Sequence, residues 1–118
     1  MKQVVCRASE LAPGQVVSTK LGPMPVVVAR APDGSLYGML DKCLHQGGPL
    51  SRGKLMDATD ADPGQVGRYR DDNGRVILKC PWHGYEYDIR TGATLFDENR
   101  RLRTFKVHEE DGDVVVEL

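Results

Sequence analysis

The chain has 118 residues, 40% of them hydrophobic and 28% charged, with a formal net charge of −1 at pH 7. This composition suits one water-soluble domain with a modest core, and the charge gives no reason to expect nucleic acid or an anionic membrane as a partner. The purest apolar run, residues 26–29, is far too short to span a bilayer, and the amino terminus lacks the apolar region of a secretory signal. We therefore expect a cytoplasmic protein.

The hydrophobic pattern predicts short β-strands and no helix of useful length. Turns are indicated at Pro13-Gly14, Asp33-Gly34, Asn73-Gly74, Thr91-Gly92 and Asp111-Gly112, since these residues favour tight turns. In chain order the strands are expected at residues 4–7, 16–19, 26–31, 36–41, 76–79, 85–88, 94–96, 102–108 and 114–118.

Two connections can be assigned from this pattern. Residues 32–35 should join the third and fourth strands, and Asp111-Gly112 should join the last two strands as a hairpin, with Phe105 and Val107 on one face. Many short strands with regular turns are typical of a β-sandwich or a partly open barrel, so the predicted fold class is all-β.

Two short motifs each combine a cysteine with a histidine and are followed by glycine. They are Cys43-Leu44-His45, before Gly47-Gly48, and Cys80-Pro81-Trp82-His83, before Gly84. Three cysteines without an export signal favour metal binding or inert burial over a disulfide framework. Two facing loops would supply two thiolates and two imidazoles.

This donor set suits a cluster with two thiolates on one iron and two imidazoles on the other. A single zinc ion also accepts two cysteines and two histidines, but zinc sites usually pair Cys with Cys and His with His. Mononuclear zinc and a coincidence of structural residues are the alternatives. Cys6 and His108 stand alone in the sequence, and we expect them to be ordinary core or surface residues.

Residues 43–50 and 80–88 resemble the two cluster-binding loops of Rieske proteins, and Thr91-Gly92 resembles the turn that follows the second loop in that family. The resemblance implies one domain over residues 1–118, with stacked antiparallel sheets and a small cluster-binding subdomain.

The same resemblance implies one 2Fe–2S cluster held by Cys43, His45, Cys80 and His83. The two histidines would face solvent and give the electron its way in and out. Trp82 and Leu44 would cover the apolar flank of the cluster or belong to the ordinary core.

The chain departs from the small Rieske ferredoxins between the two motifs. His45 and Cys80 are separated by 34 residues, roughly twice the spacing common in those proteins. The extra length coincides with residues 55–74, a polar segment that we expect to be a surface insertion, with a hairpin around residues 65–70. A docking surface for one redox partner is the alternative. Residues 93–104 also lack the proline that many relatives carry near the cluster.

The resemblance also separates types of Rieske protein. The respiratory type carries an extra cysteine in each loop, where this chain has Gly48 and Trp82, and it has a membrane anchor. High-potential relatives place a serine at the position of Tyr85, whereas Tyr87 matches their tyrosine. Because hydrogen bonds to the cluster sulfurs raise the potential, we expect a midpoint near the low end of the Rieske range, roughly −150 mV.

Catalysis by this chain alone is not expected. A Rieske oxygenase also needs a non-haem iron held by two histidines and a carboxylate, and only His108 remains once the cluster is formed. Glycine motifs for a flavin or a nicotinamide lack the strand–turn–helix context. We expect no small-molecule substrate of its own.

The resemblance implies a soluble ferredoxin that carries one electron from a reductase to a terminal oxygenase, ring-hydroxylating or related. One alternative is the small subunit of a larger reductase, such as an assimilatory nitrite reductase, and another is a redox or iron–sulfur sensor. Four arginines could steer an acidic partner toward the chain, or could simply belong to a strand face that is exposed to solvent. They are Arg52, Arg100, Arg101 and Arg103.

Overall fold

In a computed structural model of the chain, short runs of β-branched and other apolar residues form nine β-strands among the described residues. The structure describes residues 1–42, 50–57, 76–79, 86–95 and 99–118. The strands are β1 (Lys2–Arg7), β2 (Val16–Leu21), β3 (Met24–Arg30), β4 (Leu36–Leu40), β5 (Lys54–Asp57), β6 (Val76–Lys79), β7 (Glu86–Asp88), β8 (Thr104–Glu110) and β9 (Asp113–Glu117). Two 3-10 turns, Ala8–Glu10 and Leu50–Arg52, complete the regular structure of these residues.

The strands form two antiparallel sheets. Six of them follow the order β1-β9-β8-β4-β3-β2, and the outer strands β1 and β2 lie close to each other, so this sheet curls toward a barrel. The other three follow the order β5-β6-β7. The expected all-β class with antiparallel sheets is confirmed, and the structure adds that the second sheet has three strands.

Two apolar clusters form the interior. One fills the curled six-stranded sheet, and the other lies between that sheet and the three-stranded sheet. Leu40 packs against both clusters, so the interior is continuous. The cluster between the sheets consists of Val27, Ala29, Ala31, Met39, Leu50, Leu78, Tyr87, Ile89 and Leu102.

Both predicted connections are confirmed. β3 pairs with β4 and β8 pairs with β9, each pair antiparallel. Phe105 and Val107 both pack into the cluster inside the six-stranded sheet, as their shared face predicted. The Asn73-Gly74 turn and the hairpin expected around residues 65–70 lie outside the described residues.

Two expectations for the strands were wrong. Residues 55–57 were assigned to a polar surface insertion, but they belong to β5, where Leu55 pairs with Leu78 and packs against the core. The strand expected to begin at residue 102 begins at Thr104, because the Leu102 N–H donates to the Gly92 carbonyl instead of a neighbouring strand. In both cases a contact between distant parts of the chain overrode the local pattern.

Around the expected strand at residues 94–96, Ala93 and Thr94 form only isolated bridges, to Arg101 and Tyr87 respectively. In the part of the chain that the structure describes, no helix is long and apolar enough to cross a membrane.

Candidate metal centre

All four predicted ligands, Cys43, His45, Cys80 and His83, lie outside the described residues. They belong to the segments 43–49 and 80–85, which we call the first and second loop segments. The structure does describe the residues at which both segments begin and end. Those residues show where each segment leaves and rejoins the fold.

The first loop segment is closed at its base. The Ser51 N–H donates to Asp41 Oδ1 at 2.7 Å, so a side chain before the segment binds the backbone after it. The Asp41 N–H donates to the Pro25 carbonyl at 3.0 Å, which holds this end on β3. Leu50, the first described residue after the segment, is 0% exposed and belongs to the cluster between the sheets. Both ends are therefore anchored.

The second loop segment connects β6 to β7. Lys79 and Glu86, the residues on either side of it, pair directly in the antiparallel register. One step further from the loop, Leu78 pairs with Tyr87, and both side chains are fully buried. β6 and β7 are thus an antiparallel pair that core packing holds where the segment begins and ends.

The two bases meet at Gly53. A Cβ atom at this position would overlap the carbonyl oxygen of Lys79, and it would lie 3.0 Å from the Leu50 carbonyl oxygen. The next residue, Lys54, pairs with Lys79 across β5 and β6. Only glycine allows this approach, and it brings the exit of the first loop segment against the residue that precedes Cys80. Both segments therefore leave the same end of the three-stranded sheet.

The predicted Thr91-Gly92 turn is confirmed after β7. The N–H groups of both residues donate to the Asp88 carbonyl, at 3.2 and 2.8 Å. The Arg90 guanidinium contacts both carboxylate oxygens of Asp88, at 3.3 and 3.2 Å. Gly92 has φ +78°, and a Cβ there would overlap the Leu102 carbonyl oxygen, so this turn also requires glycine.

Sequence reasoning missed the residues that hold the loop bases. Asp41, Leu50, Ser51 and Gly53 received no role from the motifs. A usable signal was present, since an apolar residue and a glycine three positions later stand just before β5. That glycine faces a carbonyl group far along the chain, and the sequence pattern does not show which one.

The two isolated candidates fall where they were expected. Cys6 is a half-buried residue beside the cluster inside the six-stranded sheet, and burial, followed by the charge of Glu10, raises the pKa of its thiol. His108 is partly exposed on β8, with Nε2 3.0 Å from Glu110 Oε2. Within the described ranges, no group of three His, Cys, Asp or Glu side chains could hold a metal ion.

The bases of the loop segments fit a cluster that takes one thiolate and one imidazole from each of two adjacent loops. The residues on either side of each segment contact each other, and Gly53 joins the two bases. A 2Fe–2S cluster in such a site accepts and gives up one electron reversibly. The chain supplies the support: buried side chains under both loops and backbone hydrogen bonds at their bases.

The all-β fold and the two adjacent loop bases are compatible with a small iron–sulfur protein. The model of the Rieske [2Fe-2S] domain matches residues 1–106. The chain belongs to the Rieske family, and its cofactor is a Rieske-type 2Fe–2S cluster.

Ferredoxin components of two dioxygenases are similar to this chain over nearly its whole length. The ferredoxin component of biphenyl 2,3-dioxygenase from Rhodococcus jostii (strain RHA1) is 30% identical over 115 residues, which are 97% of this chain and 90% of the relative. The 3-phenylpropionate/cinnamic acid dioxygenase ferredoxin subunit of Escherichia coli (strain K12) is 25% identical over 114 residues, 96% and 90% of the two chains.

Solved structures share the fold. A chain in the complex of reduced oxygenase and oxidized ferredoxin in carbazole 1,9a-dioxygenase superposes with a TM-score of 0.72 at 26% identity, covering 98% of this chain and 91% of the other. A chain described as an NADH-dependent nitrite reductase small subunit, from Mycobacterium tuberculosis, gives a TM-score of 0.78 at 21% identity, with 98% and 93% covered. The second likeness is one of fold alone.

Proposed function

We propose that this chain is a one-electron carrier, a Rieske ferredoxin that takes an electron from a reductase and passes it to a terminal oxygenase of the ring-hydroxylating or a related kind. One observation carries the proposal: the chain matches a dioxygenase ferredoxin component along 97% of its own length and 90% of that relative's length. The likeness therefore extends over a whole carrier protein and not only over its cluster-binding motifs. We propose that residues 1–118 form a single domain, which the continuous interior at Leu40 supports.

We further propose that Cys43 and Cys80 bind the inner iron, and that His45 and His83 bind the outer iron. The support is the donor chemistry of the two motifs together with the joined bases of the two loop segments. In this arrangement the histidines lie at the tips of the loops, so the electron enters and leaves at the end of the three-stranded sheet.

The ligands can be tested on anaerobically purified protein. The reduced protein should give the EPR spectrum of a 2Fe–2S cluster with mixed Cys and His ligands, and Cys43→Ser or Cys80→Ser should abolish both this spectrum and the visible absorption. Cys6→Ser is the matched control, because Cys6 packs at the core and should leave the cluster unchanged. A cluster that survives in Cys43→Ser would exclude this ligand set.

The carrier function is tested by stopped-flow spectroscopy. The oxidised protein should be reduced by a flavin-dependent reductase and NADH and then reoxidised by a Rieske dioxygenase, over many cycles and without loss of the cluster. A protein that holds a stable cluster but exchanges no electron with such partners would contradict the proposal.

The small subunit of an assimilatory nitrite reductase is the second candidate. It is compatible with the fold, which such a subunit shares at a TM-score of 0.78. The two candidates differ in how the protein is assembled. A subunit should copurify with a large reductase from the native cells, whereas a carrier should be recovered as a separate protein that cycles with an added reductase.

We propose that the protein acts in the cytoplasm. The free thiol of Cys6 and the odd number of cysteines support a reducing compartment. Fractionation of the native cells, followed by immunodetection, tests this: the protein should be recovered in the cytoplasmic fraction and not with the exported proteins.

A further inference from the structure

Exposed cationic side chains surround the bases of the two loop segments. We call this set of six residues the basic collar. Two of its members stand immediately before a loop segment, one follows the first segment, and three lie on the stretch that returns toward β8. They are Lys42, Arg52, Lys79, Arg100, Arg101 and Arg103, and all six are exposed.

Backbone contacts place the collar residues next to one another in space. On one side, the hydrogen bond from the Ser51 N–H to Asp41 joins the residue before Lys42 to the residue before Arg52. Gly53, directly after Arg52, packs against the Lys79 carbonyl. The first three cations therefore lie along one continuous line of contacts.

The line continues across β7. Lys79 pairs with Glu86, and the Glu86 carbonyl accepts a hydrogen bond from the Leu95 N–H at 3.0 Å. The neighbouring Thr94 N–H donates to the Arg100 carbonyl at 2.9 Å. Arg100 is thereby connected to Lys79 through three consecutive pairings.

The line then closes on itself. Arg101 bridges Ala93, and two residues later the Arg103 carbonyl accepts a hydrogen bond from the Leu40 N–H at 2.9 Å. Leu40 precedes Asp41, where the line began. The backbone contacts beside the collar residues thus form a closed ring, which passes through the points at which both loop segments leave the described fold.

The opposite end of the molecule carries the other sign of charge. The β8–β9 hairpin holds Glu109, Glu110, Asp111 and Asp113, and three of these acids, all but Asp111, bind cations that extend from other strands. β8 runs from Thr104, beside the collar, to Glu110, which is about 20 Å along a strand. That separation is about twice the Debye length at 0.1 M salt, so a partner at the collar is screened from the acidic end.

We propose that the basic collar is the surface on which the redox partner docks, and that the docking face of this partner is acidic. The inference rests on the proposed carrier function, because it places the docking surface around the end at which the electron leaves. Exposed charges at the rim of an interface act mainly on the rate of association and on its salt dependence. A positive charge near the end at which the electron leaves therefore speeds association with an acidic partner.

Two small oxidants test the sign of this charge. Each removes one electron from the reduced protein: ferricyanide, a trianion, becomes ferrocyanide, and hexaammineruthenium(III), a trication, becomes hexaammineruthenium(II). We expect the second-order rate with ferricyanide to fall at least about threefold as salt rises from roughly 10 to 200 mM, and the rate with the ruthenium complex to rise. The net charge of −1 would give the opposite signs.

Matched charge reversals locate the effect. Arg52→Glu should weaken the salt dependence with ferricyanide, whereas Arg7→Glu changes the net charge equally at the acidic end and should leave that dependence unchanged. The Arg7 side chain is 70% exposed and lies 3.7 Å from Asp113. Comparing salt slopes, and not absolute rates, removes any contribution from a change in midpoint potential.

A binding measurement without electron transfer completes the test. Hexacyanocobaltate(III), a redox-inert anion, should shift the NMR signals of the collar arginines in a titration and leave those of Arg7 and Arg30 in place. If the rate with ferricyanide does not change with salt, or rises, the proposal that the basic collar is the docking surface is wrong. The proposed carrier function is not affected by that result. A protein without a reversible cluster would instead contradict the carrier function, and the titration then decides the collar by itself.

Discussion

Replacing Gly53 with alanine tests how the fold sets the two loop segments against each other. The new Cβ would overlap the Lys79 carbonyl oxygen and would lie 3.0 Å from the Leu50 carbonyl oxygen. To restore ordinary contact, Lys79 must move by on the order of 1 Å. Because Lys79 precedes Cys80, the second loop segment has to move with it.

The cost follows from the contacts that Lys79 makes. It pairs with Lys54 on one side and with Glu86 on the other, so the shift disturbs one or two ladder hydrogen bonds, each worth about 1 kcal/mol. Overpacking adds about 1–3 kcal/mol. We expect Gly53→Ala to lose about 2–5 kcal/mol of unfolding free energy in a urea titration, which a domain of ordinary stability survives.

Beyond the loss of stability, we expect Gly53→Ala to affect the 2Fe–2S cluster. Gly53→Ala should lower the cluster content and shift the EPR g-values and midpoint potential of the clusters that remain. Gly34→Ala is the control, because a Cβ there meets nothing within 4 Å and only its φ of +94° is strained. This control should lose stability and keep the wild-type spectrum. If Gly53→Ala shows the wild-type cluster content, g-values and potential, the argument that Gly53 aligns the two segments is wrong.

Three further measurements follow from the site and the packing. Leu50→Ala should cost about 3 kcal/mol in a urea titration because the side chain is fully buried, whereas Leu118→Ala, 51% exposed, should change stability by less than about 0.5 kcal/mol. A redox titration should give a midpoint near −150 mV, and a value above about +100 mV would refute the low-potential expectation. The hydrogen bond from His108, helped by Lys2, holds the pKa of Glu110 below its usual 4.5. This contribution to stability is present above that pH and is lost as the pH falls through the depressed pKa, so Glu110→Gln should unfold with a shallower dependence on pH between about 5 and 3.

The strands beside the two loop segments show how much of the structure local sequence patterns predict. Tyr87 matched a position of the family motif, and the structure shows it fully buried opposite Leu78. β6 was predicted with its observed bounds, Val76–Lys79, because a short apolar run with a turn signal before it is a strong strand signal. β5 was missed because a four-residue strand that contains Lys54 and Asp57 resembles a polar loop until it is paired with β6.

The sequence by itself determined the cofactor chemistry and the family, since ligand type and spacing within two short motifs are local properties of the chain. It also determined the turns at Gly34, Gly92 and Gly112, where φ is positive. The four ligands stay a prediction that follows from the motifs.

Only the tertiary structure decided how the two motifs are supported and what surrounds them. The contact of Gly53 with Lys79, the hydrogen bond from Ser51 to Asp41 and the closure of the basic collar each join parts of the chain that are distant in sequence. Sheet pairing and close packing bring such parts together, and neither is encoded in the periodicity of any single segment. The charge of a surface is therefore visible only once the fold has assembled it.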